Sequence, residues 1–193
     1  MSSLPIVGIL ALQGCVEPHT EHIKNIGAKP LYVRSEDELL ESDCLIIPGG
    51  ESSTMLNLLK RNELFAALKK YVIEKPTWGI CAGSILLAKE VAAPAQDSLS
   101  ALPIKATRNY YGSQLDSFKA EIDLSEISPK GALAVDFIRA PLLEPLNFEV
   151  QTLARYEGQG VLFRYKHILC SSFHAELGHD SRLHEFFLGM CEL

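Results

Sequence analysis

The sequence predicts an α/β fold: a three-layer, mostly parallel, doubly wound sheet with added strands in the C-terminal half. Two observations favour this class. Apolar runs of strand length alternate with amphipathic helical segments as far as residue 91, whereas beyond residue 92 strand patterns follow one another with little helix between them. Of the 193 residues, 47% are hydrophobic, which is enough for one sizeable core, and we therefore expect a single domain over residues 1–193.

The first half predicts strands and helices in alternation. The apolar run at residues 6–12 suits a strand buried on both faces, which we expect at the centre of the sheet. A helix at residues 18–26, with Pro18 near its first turn and Gly27 beyond its end, leads to a second strand at residues 31–33. The elements expected next are a strand at Cys44–Ile47, a helix capped by Ser52 or Ser53, a helix at residues 63–74, a strand at Thr77–Ile80 and a helix at residues 84–91.

The second half predicts strands with one closing helix. Strand patterns occur at residues 118–124, 133–138, 148–154, 160–165 and 167–172. Residues 180–192 predict an amphipathic helix, because its large apolar side chains are spaced for one buried face: Leu183, Phe186, Phe187 and Met190.

Composition narrows the classes of partner and compartment. The net charge is −6, and the 18 basic residues are scattered among 24 acidic ones, so nucleic acid and anionic membrane are poor partners. No apolar run approaches the roughly 20 residues of a spanning helix, and the N-terminus lacks the basic region and cleavage site of a signal peptide. We expect a cytosolic protein. The five cysteines are widely spaced and lack a C-x-x-C pair, which signals neither a disulfide framework nor a zinc site.

One cysteine lies in a segment typical of a nucleophile. Cys81 is the centre of Gly79-Ile80-Cys81-Ala82-Gly83, where flanking glycines allow a tight turn between a strand and a helix. Unpaired N–H groups at the start of that helix would favour the thiolate, which is the form that attacks a carboxamide carbon. The alternative interpretation is a buried cysteine between two turn glycines, and this segment alone does not separate the two.

A histidine and a glutamate two residues apart supply a possible base. In an extended segment His174 and Glu176 point to the same face, so the carboxylate can fix the imidazole tautomer while the other ring nitrogen takes a proton from Cys81. Taken alone, an H-x-E pattern also fits an ordinary surface pair.

The segment Pro48-Gly49-Gly50-Glu51-Ser52 follows a buried strand and leads into a helix. Its N–H groups can face a ligand at the carboxyl edge of the sheet, and those of Gly50 and Ala82 would together form an oxyanion hole. A glycine-rich turn with a helix cap is the alternative.

The segments P-G-G-E-S, G-x-C-A-G and F-H-x-E occur here in the order found in the triad-type, class I glutamine amidotransferases, which they resemble. The chain is also similar, from about residue 6 to its C-terminus, to the glutaminase subunits of pyridoxal 5'-phosphate synthases. The strings that carry this closer resemblance are L-A-L-Q-G from Leu10, P-G-G-E-S-S-T-M from Pro48, R-N-Y-Y-G-S-Q from Arg108 and F-I-R-A-P from Phe137.

The resemblance implies a site, a fold and a partner. It implies the class I glutamine amidotransferase fold, Cys81 as nucleophile, and His174 and Glu176 as charge relay, with no metal or organic cofactor. It also implies that L-glutamine is hydrolysed and that ammonia passes to a separate synthase subunit, which makes pyridoxal 5'-phosphate. The residues that would surround the bound glutamine are Gly50, Glu51, Ser52, Arg108, Ile138 and Arg139.

Two positions depart from the family pattern. Ala175 stands between His174 and Glu176 where proline is usual, and Ser113 stands where bacterial members usually have arginine. The departure at Ala175 keeps open a catalytically silent subunit that stabilises the synthase. A second alternative is a glutaminase for another pathway or a γ-glutamyl peptide hydrolase, and the P-G-G-E-S and I-R-A-P strings argue against both. Outside the motifs, we expect His19 and His22 on a solvated helix face, and we assign no role to the other histidines, His167, His179 and His184.

Overall fold

The computed structural model describes residues 4–111 and 117–191, so the predicted departure at Ser113 lies outside the described residues. The first half of the chain alternates as expected. Its elements are β1 (Ile6–Leu10), α1 (Glu17–Asn25), β2 (Lys29–Val33), α2 (Glu36–Glu41), β3 (Cys44–Ile47), α3 (Ser52–Arg61), α4 (Phe65–Glu74), β4 (Thr77–Ile80) and α5 (Ala82–Leu87).

The second half consists mainly of strands and closes with a helix. Its elements are β5 (Ala88–Ala92), β6 (Leu102–Tyr111), β7 (Phe118–Asp123), β8 (Ala132–Phe137), β9 (Ala140–Pro145), β10 (Gln151–Tyr156), β11 (Gln159–Tyr165), β12 (Ile168–Ser171) and α6 (Arg182–Met190).

The main sheet has seven strands in the order β10-β11-β12-β4-β3-β1-β2. The strands from β12 to β2 are parallel to one another, and β10 and β11 add an antiparallel pair at one edge. A three-stranded sheet of β5, β6 and β9 and a hairpin of β7 and β8 are separate from it. The predicted class, mostly parallel with strands added in the C-terminal half, is confirmed.

The core lies on both faces of the main sheet, because successive strand residues point to opposite faces. In β3, Leu45 and Ile47 pack on one face, where α2 to α5 and the three-stranded sheet cover them. Cys44 and Ile46 pack on the other face, where α1, α6 and the β7–β8 hairpin lie. The result is the expected three layers. No helix in the described ranges is long and apolar enough to cross a bilayer.

Several expected boundaries were wrong. The helix predicted at residues 84–91 ends at Leu87, because Ala88–Ala92 pairs with β6 instead. The N-cap of α3 is Glu51, not Ser52 or Ser53, and its side chain accepts from the N–H of Ser53. The elements α2, β6 and β9 were not predicted from the sequence. The strand β1 has a partner on each side but lies one strand from the edge, and β4 occupies the centre.

Candidate active site

A cavity of about 210 Å³ opens at the carboxyl edge of the main sheet, where the loops after β1, β3, β4 and β12 meet. These strands are adjacent and parallel, so sequence segments far apart in the chain converge there. All of the expected glutamine contacts line the cavity, together with Cys81 and His174: Gly50, Glu51, Ser52, Arg108, Ile138 and Arg139.

Cys81 lies on the sharp turn between β4 and α5. Its φ of +48° and ψ of −101° are a strained backbone conformation for a residue with a Cβ atom. The turn is fixed on both sides: the N–H of Cys81 donates to the carbonyl of Ser171 at 2.8 Å, and its carbonyl accepts from the N–H of Ile85 at 3.1 Å. Gly83 allows the close packing, because a Cβ atom there would overlap the carbonyl oxygen of Ile47.

His174 is fixed by a bridge to the hairpin. Its N–H donates to the carbonyl of Asp136 at 2.8 Å, and its carbonyl accepts from the N–H of Asp136 at 3.1 Å. Its ring lies against Gly49, where a Cβ atom would overlap Cε1 of the imidazole. The glycine-rich loop and the imidazole therefore fit together only because residue 49 has no side chain.

The carboxylate of Glu176 binds the ring of His174. The distance from Nδ1 to Oε1 is 2.6 Å, and both side chains are buried. This contact forms although Ala175 replaces the usual proline. Since Nδ1 is engaged by the carboxylate, Nε2 is the ring nitrogen available to exchange a proton with Cys81.

The protonation of the pair follows from its surroundings. Burial by itself would lower the pKa of His174, but hydrogen bonds and charge interactions with Cys81 and Glu176 raise it to about 10. Burial would raise the pKa of Glu176, but the hydrogen bond and charge of His174 and the charge of His19 hold it below its usual range. The site therefore favours a cationic imidazole beside an ionised carboxylate.

An ion pair forms the polar wall of the cavity. Arg108 Nη2 lies 2.6 Å from Oε1 of Glu51, and the same oxygen accepts from Oγ of Ser53 at 3.0 Å. The pairing of β6 with β9 is irregular between Thr107 and Tyr111. This irregularity turns the backbone at Arg108 away from regular strand geometry, as a β-bulge does, and Arg108 lines the cavity.

The loop after β1 is bonded to the glycine-rich loop. The side-chain Oε1 of Gln13 accepts from the N–H of Glu51 at 2.9 Å, and the N–H of Cys15 donates to the carbonyl of Gly49 at 2.9 Å. A displacement of the first loop would therefore act directly on the backbone that carries Gly50.

Some residues of the site were not predicted from the sequence, and the surroundings of others were predicted wrongly. Four further side chains line the cavity: Cys15, Ile85, Asn109 and Leu177. Of these, only Asn109 could have been expected from the sequence, because it follows Arg108. The prediction that His19 and His22 are solvated was wrong, since both are buried against α6. Ala82 directly follows Cys81, and Glu176 lies behind His174.

In residues 4–111 and 117–191, no group of three or more His, Cys, Asp or Glu side chains is placed to hold a metal ion.

Comparison with known proteins gives concordant results. The model of the SNO glutamine amidotransferase family matches residues 9–193. The pyridoxal 5'-phosphate synthase subunit PdxT of Koribacter versatilis (strain Ellin345) is 44% identical over 185 residues, which cover 95% of this chain and 94% of that protein. The corresponding subunit of Solibacter usitatus (strain Ellin6076) is 41% identical over 186 residues, 94% of this chain and 97% of that protein.

Solved structures agree with these matches. A crystal structure of a glutamine amidotransferase aligns with a TM-score of 0.89 at 38% identity, covering 97% of this chain and 99% of that one. A putative GMP synthase subunit from Thermoplasma acidophilum shares the fold, with a TM-score of 0.73 at 17% identity over 99% of this chain and 96% of that one. From the family match and these relatives, we conclude that the chain belongs to the SNO glutamine amidotransferase family.

Proposed function

We propose that the chain hydrolyses L-glutamine to L-glutamate and ammonia with Cys81 as nucleophile, His174 as general base and acid, and Glu176 as the group that orients His174. The observation that carries the proposal is the 2.6 Å contact between His174 and Glu176, made at a cavity that also holds the strained Cys81. A buried base with an orienting carboxylate beside a nucleophile is the arrangement that acyl transfer requires.

The reaction follows in two halves. The Cys81 thiolate attacks the side-chain carboxamide carbon of glutamine, and His174 delivers its proton to the leaving nitrogen, which departs as ammonia. The remaining γ-glutamyl thioester is attacked by water, from which His174 takes a proton. The thiolate then leaves and glutamate is released. Glu176 stabilises the imidazolium form of His174, which gives up its proton in the first half and is restored in the second.

Two backbone N–H groups are proposed to hold the oxyanion. Ala82 directly follows the nucleophile, and Gly50 lines the same cavity. The carbonyl of Gly49 is engaged by Cys15, and in a trans peptide the N–H of Gly50 points the opposite way. The hydrogen bond to Cys15 thus fixes the orientation of that donor.

The ion pair in the cavity wall suits a free amino acid. Glutamine carries a carboxylate and an ammonium group on its α-carbon, and Arg108 and Glu51 offer one partner of each charge. We propose that Gly50, Ser52, Ile138 and Arg139 complete the contacts. This recognition would favour glutamine over a glutamine residue inside a peptide, in which neither charge is present.

We further propose that the ammonia passes to the synthase subunit of a cytoplasmic pyridoxal 5'-phosphate synthase complex. The support is that relatives matched over almost the whole chain are named as subunits of a pyridoxal 5'-phosphate synthase. No observation favours the alternative of a catalytically silent role, because Glu176 reaches His174 despite Ala175.

The test is glutamate release from L-glutamine by the purified chain with its synthase subunit present. We expect turnover, with the ammonia incorporated into pyridoxal 5'-phosphate when a pentose phosphate and a triose phosphate, which the family resemblance implies as the substrates of the synthase, are supplied. Absence of glutamate would contradict the triad proposal, whereas glutamate release without ammonia transfer would contradict only the pathway.

A further inference from the structure

Three buried histidines lie behind the proposed triad, between the first and last helices. His19 and His22 belong to α1, His184 belongs to α6, and they are 0%, 4% and 1% exposed. The rings of His22 and His184 are stacked with centroids 4.3 Å apart, and Trp78 meets His19 and His184 edge-on. Such burial of polar rings calls for a partner at each nitrogen.

His19 and His184 share one hydrogen bond. Nδ1 of His19 lies 2.9 Å from Nε2 of His184. Burial lowers the pKa of His19 to about 4 and the pKa of His184 well below its ordinary value, so both rings are neutral near pH 7. A neutral imidazole carries one N–H, and the choice of donor in this bond therefore fixes the tautomer of both rings.

Three buried atoms in and beside this cluster lack a partner. Within residues 4–111 and 117–191, Nε2 of His19, Nδ1 of His184 and Oε2 of Glu176 have no hydrogen-bond partner. The other carboxylate oxygen of Glu176 is engaged by His174. Burying a carboxylate costs free energy when one of its oxygens accepts no hydrogen bond. A donor directed at that oxygen would stabilise the carboxylate.

Helix α1 is anchored against residue 176. Nε2 of His22 lies 3.2 Å from the carbonyl oxygen of Glu176, and His19 lies three residues earlier on the same helix face. The charge of Glu176 acts on His19, since it raises the pKa of that ring against the effect of burial. The titratable groups that face His19 are Glu176, His22, His174 and His184.

We infer that His19 is a positioning residue for Glu176, an inference that rests on the proposed function. His184 donates its Nε2–H to Nδ1 of His19, and His19 directs its own Nε2–H at Oε2 of Glu176 across one water molecule. The opposite tautomer would place a lone pair of His19 against the carboxylate, which is repulsive. The donor keeps Glu176 ionised and holds its other oxygen on His174.

The first test measures the tautomer in the unmodified chain. Nitrogen-15 NMR of the imidazole rings near neutral pH should show both His19 and His184 protonated on Nε2. Protonation of His19 on Nδ1 would overturn the inference. This measurement needs no substitution and no substrate, so it stays decisive even where a variant fails to fold.

The second test uses two amide substitutions of His19. His19→Gln keeps an N–H near the position of Nε2, whereas His19→Asn keeps one only near Nδ1. With the synthase present, we expect His19→Asn to lower kcat about tenfold or more while KM changes within about twofold, and His19→Gln to keep most of the rate. The pH profile of Cys81 alkylation by iodoacetamide should move to higher pH only in His19→Asn.

A matched control is His167→Asn, the same change at the amino edge of the sheet, where the ring contacts the carbonyl of Val72. It should leave kcat and the alkylation profile unchanged. Equal losses in both His19 variants, or an unmoved alkylation profile in His19→Asn, would mean that the His19 ring only packs.

The Cys15 thiol also contacts Glu176, and burial and that carboxylate raise the pKa of Cys15 to about 11. A profile shift in Cys15→Ala that His19→Asn lacks would also overturn the inference.

The outcomes separate this inference from the proposed function. If the wild-type chain releases no glutamate with its synthase, the proposed function fails. The tautomer and the alkylation profile would still report whether His19 supports Glu176.

Discussion

Cys81 differs from the other buried cysteines in its backbone conformation and in its position at the cavity. Cys170 lies in the adjacent strand β12, where burial raises the pKa of its thiol. We expect Cys81→Ala to abolish glutamine hydrolysis and leave the thermal unfolding temperature nearly unchanged, because alanine fits where cysteine does. Cys170→Ala is the matched control and should retain turnover. Substantial turnover by Cys81→Ala would remove it from the role of nucleophile.

His174 and Glu176 should differ in how much activity depends on them. In the proposed mechanism the imidazole transfers the proton, whereas the carboxylate orients the imidazole and stabilises its charge. We expect both His174→Asn and Glu176→Gln to slow turnover severely, with Glu176→Gln retaining roughly 50-fold more activity. Steady-state kinetics with the synthase present measure this. A His174→Asn variant with the higher rate would contradict the assignment of the base.

The same pair predicts a pH-dependent contribution to stability. The pKa of His174 is raised from an ordinary 6.5 to about 10, so its contribution is complete below pH 6.5 and is lost as the pH rises through about 10. The lowered pKa of Glu176 has the opposite sense, and its contribution is lost on acidification.

Denaturant unfolding of the wild type and His174→Asn tests this linkage. The difference in unfolding free energy between them should shrink as the pH rises from 6.5 towards 10. In a Cys81→Ala background this difference should be lost over a narrower pH range, because Cys81 is one of the groups that raise the pKa of His174. A difference that is constant across this range would refute the linkage.

At the residue scale, the sequence predicts those features of a side chain that its near neighbours in the chain determine. The proposed triad of Cys81, His174 and Glu176 was predicted from short motifs, because each motif encodes a turn or an alternation in its own backbone. The burial of His19 was not predictable in this way. It depends on His184, which lies on a helix at the other end of the chain.

At the scale of elements, the junction of β4 and α5 depends on a glycine. A side chain at Gly83 would meet the carbonyl of Ile47 in the neighbouring strand. We expect Gly83→Ala to destabilise the fold by about 3 kcal/mol and to displace the nucleophile. Gly189→Ala in α6 is the control, since nothing lies within 4 Å of the added Cβ, and it should be neutral or stabilising by up to about 1 kcal/mol. Equal stability of the two variants would contradict the packing argument.

The elements that the sequence missed have different causes. A local signal for α2 was present, because Ser35 and Glu38 form a capping box at its start. The strands β5, β6 and β9 pair only with distant segments, and β6 and β9 contain prolines that disguise a strand pattern. These residues therefore form strands because they pair with other parts of the chain, although their local sequence does not favour a strand.

At the scale of the whole molecule, the bond from Gln13 to the loop of Glu51 links a surface segment to the cavity. We expect the chain alone to be a poor glutaminase and to gain activity when its synthase docks on the accessible side chains of residues 13–22, because docking selects one arrangement of the loop that Gln13 contacts. Gln13→Ala should reduce this activation at least about fivefold. Glutamate release with and without the synthase measures the effect.

The control for docking is Glu121→Ala, an exposed change on β7. It should leave activation intact. Full activity of the isolated chain, unchanged by the synthase, would refute the coupling while leaving the triad proposal standing.

The two outer strands of the main sheet also determine how copies of the chain can associate. The strand β2 carries Pro30, which lacks an N–H, and at the opposite edge the pairing of β10 is irregular between Thr152 and Arg155. Proline removes a backbone donor and a bulge distorts the strand, so each interrupts the row of free backbone groups on which a further strand could form. The two borders of the main sheet are therefore poor places for a strand from another copy of the chain to add.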